Sequence, residues 1–106
     1  MNSNKLDAFQ VIADPSRRQM LHLLSKKSLT INTLAGNFDM SRPAVSKHIK
    51  ILFSAGFISI HEVGRERHCY LKKDGFSDIQ KWLDYFDKFW AARLTKLGSL
   101  LNSKSK

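Results

Sequence analysis

Cysteine is nearly absent: Cys69 is the sole thiol in 106 residues. One thiol closes no internal disulfide, which excludes a disulfide-stapled secreted scaffold and makes a cytoplasmic protein the expectation. Long apolar runs are missing too. Nothing reaches the length of a membrane span, and the opening MNSNKLDAFQ has no signal-peptide pattern. Also missing are a Ser/His/Asp or Cys/His set, paired carboxylates and a Gly-rich phosphate loop, so no enzyme is expected. Acidic residues are scarce, 9 against 18 basic, for a formal charge of +9. That balance favours a polyanionic partner, with nucleic acid ahead of an anionic membrane surface.

The basic excess is local. Residues 41–73 carry 7 basic and 2 acidic side chains, a net +5, whereas residues 1–40 (5 and 3) and 74–106 (6 and 4) carry +2 each. Within the rich segment lies Asp39-Met-Ser-Arg-Pro-Ala-Val-Ser-Lys-His-Ile-Lys-Ile-Leu-Phe-Ser-Ala-Gly56. Ser41 is a good N-cap, Met40 and Val45 form a hydrophobic-staple pair, and Pro43 falls in the first turn, where its missing N–H costs nothing. Gly56 suits the stop. Val45, Ile49 and Leu52 share one face; Pro43, Ser46, Lys47 and Lys50 lie opposite, with Arg42 at the rim. Taken alone this is an amphipathic surface helix with a solvated basic face. Its small residues near the start and its Arg/Lys/Ser front also suit a major-groove reader.

The flanking segments favour the second reading. Residues 4–13 predict a short helix, with Leu6, Phe9 and Ala13 at helical spacing and Ile12 beside them. Asp14 and Pro15 then predict the cap and first position of a second helix, to about Lys26, with Met20, Leu21, Leu23 and Leu24 as its apolar set. Arg17 and Arg18 in its first turn read as two solvated arginines, although a nearby phosphate would suit them. Thr30 predicts the next cap, for a short helix from Ile31 to Asn37, with Ile31, Leu34, Ala35 and Phe38 inward. Two short helices joined by a brief turn form a helix-turn-helix over about 30–54. The period then shifts. Residues 57–63 and 66–72 predict a β-hairpin turning near Gly64, with Arg65 and Arg67 on it. A basic hairpin just after a reading helix is a wing.

The last element, about 75–101, carries apolar residues at 76, 79, 83, 86, 90, 94, 97 and 101. Trp82, Tyr85, Phe89 and Leu100 widen the arc. One domain of this size cannot cover so much apolar surface, and a second copy of the helix is the simplest partner. Leu6, Phe9, Trp82, Phe86, Phe89, Trp90, Leu94 and Leu97 are therefore the expected dimerisation residues. The tail Asn102–Lys106 is expected to fray.

The order α-α-α-α-β-β-α, mainly α with a small β-hairpin (an α+β class), resembles the ArsR-type winged helix-turn-helix transcriptional regulators. The wording is similar as well: Asp14-Pro-Ser-Arg-Arg-Gln-Met-Leu at the second helix, Ser41 to Ile58 at the recognition helix and its exit, and Val63-Gly-Arg-Glu-Arg-His-Cys-Tyr-Leu at the wing. The resemblance covers roughly residues 6–90. It implies a homodimeric repressor of a near-palindromic operator in double-stranded DNA, with 1–106 as one domain. It also implies that Ser41, Arg42, Ala44, Ser46, Lys47 and His48 approach DNA, with Arg65 and Arg67 in the wing's role. Pro43 and Lys50 join them from the exposed face of the reading helix. Metal-sensing members carry cysteines on the helix before the recognition helix or Asp/His ligands on the last helix. Here Ile31–Phe38 has no cysteine and Phe76–Leu101 no histidine. His61 and His68 can face each other across the hairpin, but two ligands do not make a zinc site, so no metal or other cofactor is expected. The rival reading is a winged-helix protein-interaction module with weak or no specific DNA binding.

Overall fold

The chain opens with a stop-and-start built from side-chain caps. In a computed structural model describing residues 5–104, helix α1 spans Ala8–Ile12 and α2 spans Pro15–Lys26. Asp7 and Gln10 close a capping box at the start of α1, which is why the helix begins later than its apolar spacing predicts. Asn4, the predicted start, lies outside the described residues. With that start, Val11 is the fully buried residue of α1, while Phe9 stays 40% exposed and Ala13 faces solvent. Asp14 then caps α2, its carboxylate accepting the Arg17 amide at 2.9 Å, with Pro15 at the first position as expected.

Burial pulls the Asp14 carboxyl up. The Arg17 amide, the nearby His48 and Arg17 side chains and the Ser16 amide outweigh it, leaving Asp14 below its ordinary value of 3.8. Asp14→Ala should therefore cost about 1 kcal/mol in urea unfolding at neutral pH. Because the folded value is depressed, that stability is present above the ordinary carboxylate range and is lost as pH falls through the lowered value. The gap between wild type and Asp14→Asn should close in acid; a gap that persists there would assign the effect to something other than the carboxylate.

Two further caps place the helix-turn-helix. The Thr30 hydroxyl accepts from the Thr33 amide at 3.0 Å and starts α3, Ile31–Ala35. The Ser41 hydroxyl accepts from the Ala44 amide at 3.3 Å and starts α4, Arg42–Ser54. The end of α4 is a Schellman motif: Phe57 N–H reaches the Leu52 carbonyl at 3.0 Å and Gly56 N–H the Phe53 carbonyl at 3.1 Å. Gly56 takes φ +82°, the left-handed conformation that fits glycine. The motif turns Phe57 inward, where it is fully buried beside Leu52 and stacks edge-on with Phe76 at 4.8 Å.

Strands β2 (Ile58–Val63) and β3 (Glu66–Leu71) form the hairpin, joined through Gly64 at φ +65° and Arg65. A positive φ at the first central residue only is the type II′ pattern, matched to strand twist. A two-residue strand, β1 (Leu29–Thr30), adds to the far side of β3, giving sheet order β1-β3-β2. It has no counterpart in the sequence reading, because two residues show no period. Cys69 is the hinge of this sheet, paired with Leu29 on one side and Ile60 on the other. It is fully buried; burial pushes its thiol up, with Arg67 opposing, so it is protonated and shielded rather than reactive.

The buried core draws on α1 through β3: Val11, Met20, Leu24, Leu34, Val45, Ile49, Leu52, Phe57 and Ile58 with Cys69. Among the described residues, none of it comes from the last helix. After a 3₁₀ turn at Asp74–Phe76, α5 runs from Ser77 to Lys104. The expected frayed tail is thus helical through residue 104, while residues 105 and 106 lie outside the described residues. Among the described residues of this region, Phe76 and Ile79 are the ones that pack on the core. From Gln80 to Leu97 every residue of α5 is exposed. The molecule measures 71 × 35 × 25 Å with a radius of gyration of 19.7 Å, against about 13 Å for a compact domain of this length.

Candidate nucleic-acid interface

Helix α4 turns Val45, Ile49 and Leu52 into the core, all at most 3% exposed, and so must present its other faces to solvent. Ser41, Arg42, Pro43, Ser46, Lys47 and Lys50 are exposed, whereas Ala44 and His48 are half-buried. The exposed residues divide between two concavities. On the wing side, Arg42 and Ser46 share a notch with Arg65, Glu66 and Arg67, lined also by Thr30, Ile31 and Asn32. Three arginines thus line one notch, Arg42 from α4 and Arg65 and Arg67 from the hairpin, with Glu66 among them. On the opposite flank, Ala44, Lys47, His48 and Lys50 line a second groove with Lys5 and Leu6 from the N-terminal segment. Ser41 and Pro43 stand at the helix start and line neither.

His61 and His68 are direct cross-strand partners, as expected, and His61 packs edge-on against Tyr70 at 5.4 Å. Among the described residues, no group of three or more His, Cys, Asp or Glu side chains is arranged to hold a metal ion.

Arg17 departs from its expected role. It is not solvated: only 8% of it is exposed. Its Nε donates to the Val11 carbonyl at 2.7 Å and its Nη2 to the Gln10 carbonyl at 3.2 Å. Arg18 does the same for the Ile12 and Ala13 carbonyls, at 2.7 and 3.1 Å. The two arginines satisfy the carbonyl end of the preceding short helix, which has no further turn to do so. Arg17 Nη1 then reaches Nδ1 of His48 on α4, at 3.1 Å. Arginine beside a helix end was the available sequence signal for the first role. The second joins residues 31 apart and had none.

The expected dimerisation residues other than Leu6 are exposed, from Phe9 on α1 along α5. Phe9 stacks edge-on against Trp82 at 5.5 Å, joining α1 to α5, and Leu6 is half-buried nearby in sequence. Trp82, Phe86, Phe89, Trp90, Leu94 and Leu97 continue along α5, all exposed. Phe89 also lies under the Arg93 guanidinium, 4.9 Å from the ring centre.

The family described as bacterial regulatory protein, arsR family, matches residues 14–59, the span from the Asp14 cap to the first wing strand. The HTH-type transcriptional regulator Rv2034 of Mycobacterium tuberculosis is 33% identical over 97 residues, covering 92% of this chain and 88% of that protein. The chain belongs to the arsR family of bacterial regulatory proteins. The transcriptional repressor SdpR of Bacillus subtilis is a second relative, 34% identical over 77 residues, with 73% of this chain and 86% of that protein covered. Among solved structures, the ArsR family transcriptional regulator RHA00566 superposes with a TM-score of 0.72 at 39% identity, over 79% of this chain and 87% of that one. The arsR-family fold accounts for the element order, with the mainly helical body and small antiparallel sheet expected of a winged helix-turn-helix. Among the described residues, no helix is long and apolar enough to cross a membrane.

Proposed function

We propose that the chain is a homodimeric, sequence-specific DNA-binding transcriptional repressor of the cytoplasm that acts on a near-palindromic operator and has no enzymatic activity. In this reading residues 1–106 form one domain, with the helix-turn-helix at about 30–54, the wing at about 57–72 and the dimerisation helix at about 75–101. The observation that carries it is the convergence of Arg42 and Ser46 of α4 with Arg65 and Arg67 of the wing in one notch. A helix that presents a basic front beside a basic hairpin suits simultaneous contact with base edges and backbone. The unpartnered strip on α5 and the repressor among the relatives support the dimer and the direction of regulation.

A salt series on duplex DNA tests the reading against an interaction module. A DNA reader should lose affinity linearly on a log–log plot, with a slope near 0.9 per phosphate neutralised. Feeble binding with no such slope would favour the module. No metal regulation is expected, since neither ligand set is present. Operator affinity should be the same with chelator as with stoichiometric zinc, cadmium or nickel. A tenfold change, about 1.4 kcal/mol, would reveal a site.

A further inference from the structure

The groove on the flank of α4 away from the wing is strongly basic. Lys5, Lys47 and Lys50 line it together with His48, and no Asp or Glu does so. Its deepest cation is Arg17, buried and bonded through Nε, Nη2 and Nη1 to the Val11 carbonyl, the Gln10 carbonyl and His48. A guanidinium has five donors and no acceptor. The Arg17 Nη1–H must therefore donate to Nδ1 of His48, which leaves Nδ1 without a proton and puts the ring's N–H on Nε2. The ring is held from behind by a side chain that cannot swing away without abandoning two backbone carbonyls. Asp14 is the carboxylate whose field His48 feels; the other charged groups around the ring, Arg17, Lys5, Lys47 and Lys50, are cations.

We propose that this groove seats a DNA backbone phosphate, and that His48, oriented by Arg17, donates its Nε2–H to that phosphate as a neutral positioning contact rather than reading a base. The inference rests on the DNA-binding reading above. A fixed neutral donor supplies direction without releasing a counterion. It thus sets the register of α4 in the groove, while Lys47 and Lys50 supply the salt-dependent attraction. Arg17 acts through His48 and is itself a positioning residue.

Two isosteres separate the roles. His48→Asn keeps an acceptor for Arg17 at the Nδ1 position but loses the outward donor. His48→Gln places an N–H near the Nε2 position. His48→Asn should weaken operator and random DNA alike by roughly tenfold with an unchanged salt slope, whereas Lys50→Ala should flatten that slope by about one. His48→Gln should recover most of the loss. Replacing single phosphates by neutral methylphosphonates along the operator should reveal one position that costs the wild type affinity and costs His48→Asn nothing. In the free wild-type protein, the imidazole nitrogen-15 spectrum should show Nδ1 bare and Nε2 protonated. A protonated Nδ1, wild-type affinity in His48→Asn, or identical phosphate profiles for the two proteins would overturn the proposal. If the wild type binds no DNA at all, the regulatory reading falls too. If it binds and only the phosphate profile fails, this inference alone is lost.

Discussion

Trp90→Glu is expected to convert the protein to a monomer at micromolar concentration and to weaken operator binding by roughly a hundredfold or more. Trp90 is 57% exposed and Leu94 64%, midway along a helix from which, among the described residues, Ile79 alone packs against the core. A solitary exposed Leu is unremarkable, but Leu83, Phe86, Trp90, Leu94, Leu97 and Leu101 recur at steps of three and four on one side of α5. Water contact along such a strip is unfavourable over hundreds of square ångströms, and a second copy of the same strip removes it. A carboxylate in the middle must be desolvated for pairing to occur, which costs several kcal/mol without a cationic partner. The DNA effect follows from valency. Two linked reading helices bind a two-fold site as one intramolecular event after the first contact, a gain of about 10²–10⁴ that separate monomers forfeit. Lys88→Glu, on the other side of the same helix, is the control and should leave the mass unchanged. Sedimentation reads both; a Trp90→Glu protein that stays dimeric would remove α5 from the interface.

Arg42→Ala should cost about 1–3 kcal/mol on the operator and relax preference at one base pair, as expected if its guanidinium donates to a guanine edge. Arg42 is exposed at the first turn of α4, where Ser41 fixes the helix start, and small Ser46 one turn on lets the backbone approach the groove. Arg65 sits at the tip of the wing, in the turn after Gly64, where phosphate or the minor groove is the nearer target. Arg65→Ala should weaken operator and random DNA equally and flatten the salt slope by about one. Both variants measured on both DNAs at two salt concentrations separate the roles. Equal losses for Arg42→Ala on operator and random DNA would withdraw base reading from Arg42. Unchanged binding in both variants would mean that the two arginines are solvated.

Most of the reading helix was legible because each of its determinants is local. The Ser41 cap, the Val45–Ile49–Leu52 stripe and the Gly56 stop lie within one stretch, and each appears where helical spacing puts it. The same holds for the Asp14–Pro15 start and for the hairpin turn at Gly64. What was not legible depends on distance. Arg17 becomes buried because α1 ends within reach of its guanidinium and because His48, from another helix, arrives on its other side. Neither fact is periodic. Strand β1 forms because β3 passes beside Leu29 and Thr30, not because those two residues prefer it. Val11, the buried residue of α1, is not among the apolar residues picked out by spacing, and the Asp7–Gln10 capping box makes the helix shorter than that spacing predicts. In the candidate site, the sequence distinguished exposed from buried positions on α4 but not the division into two grooves, which depends on where the wing and the N-terminal segment pack.

Selection of bound sequences from a random duplex pool tests the central claim most directly, because it requires the reading helix, the wing and the dimer to act together. The account predicts enrichment of an inverted repeat with half-sites about one helical turn, 10–10.5 base pairs, apart, bound by two chains per duplex. A pool that returns no enriched sequence, or only single half-sites bound by one chain, would contradict it.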